Sequence, residues 1–125
     1  MQITQLDYTQ HPRPPQRELR QRGVFASGDC LIGHVANIYV DNDRNFRFVD
    51  VAMSRLMGLG KKHHLVPVEA IADEDADSIT LRVDQQTVQS APTLGDPDAA
   101  PDEGLQRAAR EQCGLAAEPP ELRTS

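Results

Sequence analysis

Tryptophan is absent from this 125-residue sequence, and phenylalanine and tyrosine together make up only 4% of it. Single-stranded nucleic acid is held by several exposed rings on which bases stack, so a stacking platform is excluded. Cysteine is nearly as scarce. Cys30 and Cys113 lie far apart, in no C-x-x-C or Cys/His ligand spacing. Neither a disulfide framework nor a zinc finger is written here, and two free thiols in a reducing cytosol are expected. No apolar run reaches the roughly 18 residues that a membrane-spanning helix needs. Residues 1–22 also lack the apolar stretch of a secretory leader. The expectation is a cytoplasmic protein with no integral membrane segment.

The charge that is present is uneven. The net charge is −6 and the mean hydropathy −0.53. Arg13, Arg17, Arg20 and Arg22 outnumber Asp7 and Glu18 in the first 22 residues, and the centre is balanced. Beyond Ala72, four arginines face twelve acids. Such a chain is repelled by phosphate backbones, so nucleic acid is not an expected partner. The acidic half reads most simply as a solvated, solubilising surface.

The organising stretch is Gly33–Val51, GHVANIYVDNDRNFRFVDV, in which two β-branched and aromatic runs flank the polar insert Asp41–Asn45. Strand formers around a five-residue turn predict a β-hairpin. Alternation places His34, Ala36, Ile38 and Val40 on one face and Val35, Asn37 and Tyr39 on the other. Further strands are expected at Val24–Ser27, Phe46–Met53, His63–Ile71 and Ser78–Val83, with Ser54–Lys62 a loop and Asp73–Asp77 an acidic turn. Gly33 marks a bulge or a close backbone approach, and Pro67 an edge or bulge. Asp84 caps a short helical turn, and Asp102 caps a second helix to Cys113 with Gly114 beyond its end. That helix has a thin apolar stripe of Leu105, Ala108 and Ala109, enough only for weak docking. The expected fold is therefore all-β, a small β-barrel of five to six short strands, with a short C-terminal helix and flexible termini. Residues 1–22 form a flexible or loosely docked arm, with Leu6 and Tyr8 able to tack it down, 23–94 the barrel, and 95–125 an acidic linker, helix and tail.

The series Gly28, then G-H-x-x-x-I-x-V-D over Gly33–Asp41, F-R-F-V-D-V over Phe46–Val51, G-x-G-K-K-H-H-L-V-P-V-E-A-I over Gly58–Ile71 and S-A-P over Ser90–Pro92 resembles the PRC-barrel domain. That β-barrel is shared by the cytoplasmic part of the photosynthetic reaction-centre H subunit and a ribosome-maturation factor. The resemblance covers roughly residues 23–94. It implies a stand-alone bacterial or archaeal interaction module that docks other proteins and is not an enzyme.

Residue chemistry agrees with a docking role. Asp41, Asp43 and Asn45 match the first positions of a calcium loop, but Phe46 and Ala52 stand where glycine and the closing glutamate belong, so a turn is the better reading. His63 and His64 are adjacent in a strand and point to opposite faces, which with His34 makes rim residues rather than a metal site. Cys30 and His34 are the nearest thing to a nucleophile and base. No catalytic residue, cofactor or metal is expected. Candidate partner-binding residues are Leu56, Met57 and Leu59 on an adaptable apolar loop, Lys61 and Lys62 beside it, and Asp41, Asp43 and Arg44 in the hairpin turn. The leading expectation is a protein–protein adaptor, with homo-oligomerisation open to it. Two alternatives stand beside it: a membrane-peripheral accessory of a photosynthetic or electron-transfer complex, and a metal- or small-ligand-binding stress protein.

Overall fold

The computed structural model describes residues 2–6, 18–54, 61–96 and 99–116. In these, β1 (Thr4–Gln5), β2 (Gly23–Ala26), β3 (Cys30–Val40), β4 (Phe46–Ser54), β5 (Lys61–Pro67), β6 (Ile71–Glu74) and β7 (Ser78–Leu81) join in one sheet. Two helices follow, α1 (Gln85–Gln89) and α2 (Glu103–Gln112). Strand order is β5-β4-β3-β2-β7-β6, with β1 on β3, and the sheet curls into a half-barrel. All pairings are antiparallel except β2 with β7.

The concave face holds the main core: Val35, Ile38 and Val40 of β3, Val49, Val51 and Met53 of β4, Val66 of β5, Ile79 and Leu81 of β7. Strict alternation would have sent Val35 to the other face. A register shift between Val35 and Asn37 leaves Ala36 unpaired, so side chains three apart, Val35 and Ile38, both enter the core. The convex face is covered too. There Tyr39, Phe48 and Leu65 are buried with Ile3, Leu94 and Ala109. Burial on both faces explains why β4 reads as an almost unbroken apolar run, VDVAM, with a single charge in it.

Several expectations change in detail. The strand anticipated over His63–Ile71 stops at Pro67 (φ −68°, ψ 146°), and Val68–Ala70 makes a 3-10 turn before β6 begins. Proline offers no N–H to a ladder, and the chain must cross there from one sheet edge, β5, to the other, β6. Lys61 and Lys62 belong to β5 rather than to a loop. Asp73 and Glu74 belong to β6, so the acidic turn shrinks to Asp75–Ser78, closed by Asp75 N–H to the Ser78 carbonyl at 2.8 Å.

The ends are better anchored than their composition suggests. Of residues 1–22, the described parts 2–6 and 18–22 dock on the sheet: β1 pairs with Val40 and Tyr39, and Ile3, Leu6 and Leu19 are buried. Helix α2 is capped as its residues dictate, with the Asp102 carboxylate accepting from Leu105 N–H at 2.8 Å and Gly114 at φ +77° past its end. Its buried face is Gln106, Ala109 and Arg110, while Ala108 is exposed. Arg110 reaches Glu69 of the 3-10 turn at 2.6 Å and donates to the Ala116 carbonyl at 2.7 Å. Polar residues thus complete the stripe that seemed too thin: Gln106 donates to the Pro101 carbonyl just before the helix, and Arg110 reaches Glu69 on the body of the protein.

Candidate functional site

On the convex face, a polar chain crosses four strands. Gln5 Nε2 donates to Asn37 Oδ1 at 2.7 Å, and Asn37 Nδ2 donates to Asp50 Oδ2 at 2.8 Å. Both Asp50 oxygens lie 2.8–2.9 Å from His63 Nδ1. The strands supply this by register, since Asn37 pairs with Asp50 and Ala52 with His63. Asp50 is wholly buried, whereas 29% of the His63 side chain is exposed. A buried carboxylate must be compensated, and here three contacts do so. The carboxylate fixes the ring's orientation and turns Nε2 away as its second nitrogen. Acid–base chemistry would also need a reactive group at that nitrogen and a cleft around both. Among the described residues, no three His, Cys, Asp or Glu side chains gather closely enough to hold a metal.

The other histidines separate. His34 lies on the same face as His63, across Ala52 in the register. His64 faces the concave side and is 2% exposed, so it is a core residue rather than a rim one. Its Nδ1 lies 3.1 Å from the Ala91 carbonyl, which requires the tautomer that carries the proton on Nδ1. Burial holds its pKa below the ordinary 6.5; the Ala91 carbonyl opposes that and nearby Lys62 adds to it. The folded pKa lies below the unfolded one, so the stability His64 protects is present above about pH 6.5 and is lost as pH falls through that window. His64→Gln is therefore expected to flatten the fall in urea midpoint between pH 7 and pH 5, a fall of at most about 1.4 kcal/mol per pH unit from this group.

Cys30 and His34 do not meet. Cys30 is exposed at the start of β3 opposite Ala26, with its thiol 3.4 Å from Gln85 Oε1, whereas His34 pairs with Gly23. Burial pushes the Cys113 thiol pKa up, which keeps it protonated and inert.

Of the predicted partner-binding residues that are described, Lys61 and Lys62 lie at one end of β4 and Asp41, Asp43 and Arg44 at the other, roughly 25 Å apart at the usual rise per residue. Leu56, Met57 and Leu59 lie outside the described residues. Lys61 and Lys62 open β5, with Lys62 exposed. At the far end, Asp41 serves the turn itself. Its carboxylate accepts from Asp43 N–H at 2.9 Å and Asn45 N–H at 3.0 Å, and meets Arg47 Nε at 2.9 Å. Burial raises the Asp41 pKa, but the Asn45 and Asp43 amides and the Arg47 guanidinium outweigh it and hold the carboxyl below its usual range. Arg44 takes φ +63° in the same turn.

A feature outside that set is the open side of β6. This strand ends the sheet order, and among the described residues β7 is its one strand partner. The opposite edge, β5, is shielded: Leu65 N–H bonds the Pro92 carbonyl at 3.0 Å, and Leu94 N–H the His63 carbonyl at 2.8 Å. A hollow of about 390 Å³ lies against β6, and among the described residues Ile71, Ala72, Asp73 and Glu74 line it. All but Ile71 are exposed. The signal in the sequence was faint, an I-A-D-E step that merges into the acidic turn. No protein-family model matches the chain, and no curated protein matches it.

Proposed function

We propose that this protein is a non-enzymatic docking module, a PRC-barrel-type adaptor, that receives another protein along the open side of β6. The observation that carries the reading is the outer edge of β6, to which no described strand is bonded, with a hollow against the strand, in a sheet whose other edge is shielded. An unpaired strand presents a row of backbone donors and acceptors, and added strands are a common way for one protein to hold another. The V-P-V-E-A block at Val66–Ala70, which resembles the PRC-barrel signature, forms the crossing that delivers the chain to this edge.

A photo-reactive amino acid placed at Ala72 tests the reading against the same group placed at Thr93 on the shielded side. In an extract of the source cells, the Ala72 position is expected to crosslink a defined protein and the Thr93 position to leave it unlabelled. Equal labelling at both positions, or none at Ala72, overturns the assignment.

A further inference from the structure

The docking edge carries its own specification. We infer that β6 accepts a basic, extended segment of a partner protein as an added strand. The inference rests on the docking role proposed above and names the chemistry of what docks.

The backbone sets the form of the occupant. With β7 on one side and no described strand on the other, β6 can complete its ladder only with extended chain. Its four residues offer a footprint of roughly 13 Å, matching a segment of about four to five residues. Exposed Ala72, at the register shift between Ile71 and Asp73, projects only a methyl group, so an incoming side chain has room there.

Charge sets its composition. Asp73 and Glu74 line the hollow, and Asp75 and Asp77 follow in the turn, all exposed. Two of these groups already have local company. Asp73 Oδ1 accepts from the Glu74 N–H at 2.9 Å, and Glu74 lies 3.5 Å from Arg22, whose Nη1 also donates to the Asp75 carbonyl at 2.7 Å. One guanidinium among four carboxylates leaves the edge negative. Like charges across a strand pair repel, so a second copy of this chain, which would bring its own Asp73 and Glu74, is disfavoured. The chain's own residues 7–17 include Arg13 and Arg17, but Pro12, Pro14 and Pro15 among them lack the N–H a ladder requires. A basic segment of another protein fits on both counts.

The probe is an eight-residue peptide alternating lysine and valine, titrated into the full chain while the backbone amides of 71–74 are followed by NMR. Shifts confined to β6 and its neighbours in β7 are expected, with affinity falling at least tenfold from 50 to 500 mM salt. Asp73→Lys/Glu74→Lys should abolish binding while lowering the melting temperature only slightly, since the Arg22–Glu74 contact it removes is a partly exposed 3.5 Å pair. The same peptide N-methylated on alternate residues keeps its charge but loses its donors, and should bind at least tenfold more weakly. Equal binding of the methylated peptide means that charge alone attracts it and overturns strand addition. Equal binding by the Lys/Lys variant overturns the basic specificity. A dimer in light scattering that Ala72→Pro dissolves makes a second copy the occupant and also overturns the inference. Failure of the peptide with selective crosslinking from Ala72 intact rejects the basic partner alone; failure of both rejects the docking role.

Discussion

Gly33→Ala is expected to destabilise the protein by about 3 kcal/mol or more, a large effect for one methyl group. Gly33 sits where β3 pairs with β4, opposite Met53. A Cβ at position 33 would lie 2.1 Å from the Ala52 carbonyl oxygen, 3.0 Å from its carbon and 3.2 Å from the Met53 Cα. All three are backbone atoms of the central strand pair, so no side chain can swing aside. The strands must part, and the ladder bonds beside Gly33 lengthen with them. Glycine is needed here for close approach, not for an unusual backbone angle. Gly95→Ala is the control, because a Cβ there meets nothing within 4 Å, and it should change stability by no more than about 0.5 kcal/mol. Thermal melts of the two variants decide the matter. A Gly33→Ala midpoint level with that of Gly95→Ala would show that the sheet relaxes freely at this point.

Gly33 also shows what local pattern could reveal. An isolated glycine inside a strand run signals a close approach, and the structure has one there. The β3–β4 hairpin, the inward set Val49, Val51 and Met53, and the caps Asp84 and Asp102 were legible because each depends on neighbours in sequence. What was hidden depends on partners far along the chain. The unpaired Ala36 that brings Val35 into the core is fixed by register against β4, which alternation alone does not encode. Strand β1 is two residues long and exists because Val40 and Tyr39 are there to receive it. Helix α2 looked weakly amphipathic since Gln106 and Arg110 count as polar, yet they are buried against Pro101 and Glu69. The same holds for the candidate sites. Asp41 and Arg44 stand out as turn residues and are used as such, whereas the open side of β6 emerges only from the strand order. The Asp50–His63 pair, 13 residues apart, needed the β4–β5 register before either residue acquired a partner.

That pair carries the second large effect. Asp50→Ala is expected to cost about 3–5 kcal/mol, lowering the urea midpoint without changing the slope of the transition. Removing the carboxylate takes away the acceptor for Asn37 Nδ2 and the partner of His63 Nδ1, and leaves a void under a fully packed face. Desolvated donors without acceptors cost more than the bonds themselves contribute. His63→Ala should cost less, about 1–2 kcal/mol, since its ring is 29% exposed and Asp50 keeps its bond to Asn37. The informative variant joins Asn37→Val, Asp50→Leu and His63→Leu. If the network chiefly fixes which strands pair in which register, replacing Asn37, Asp50 and His63 with apolar side chains should recover most of the stability lost in Asp50→Ala, because the one member that remains, Gln5, is only half-buried. Specificity should then suffer instead: amide exchange in β5 and β1, the strands that carry the two ends of the hydrogen-bond network, should quicken relative to β4. A double-mutant cycle on Asp50 and Asn37 should show coupling of roughly 1–3 kcal/mol. Additive single effects, with a triple variant as unstable as their sum, would mean that the three side chains act separately and that the register is held by the surrounding core alone.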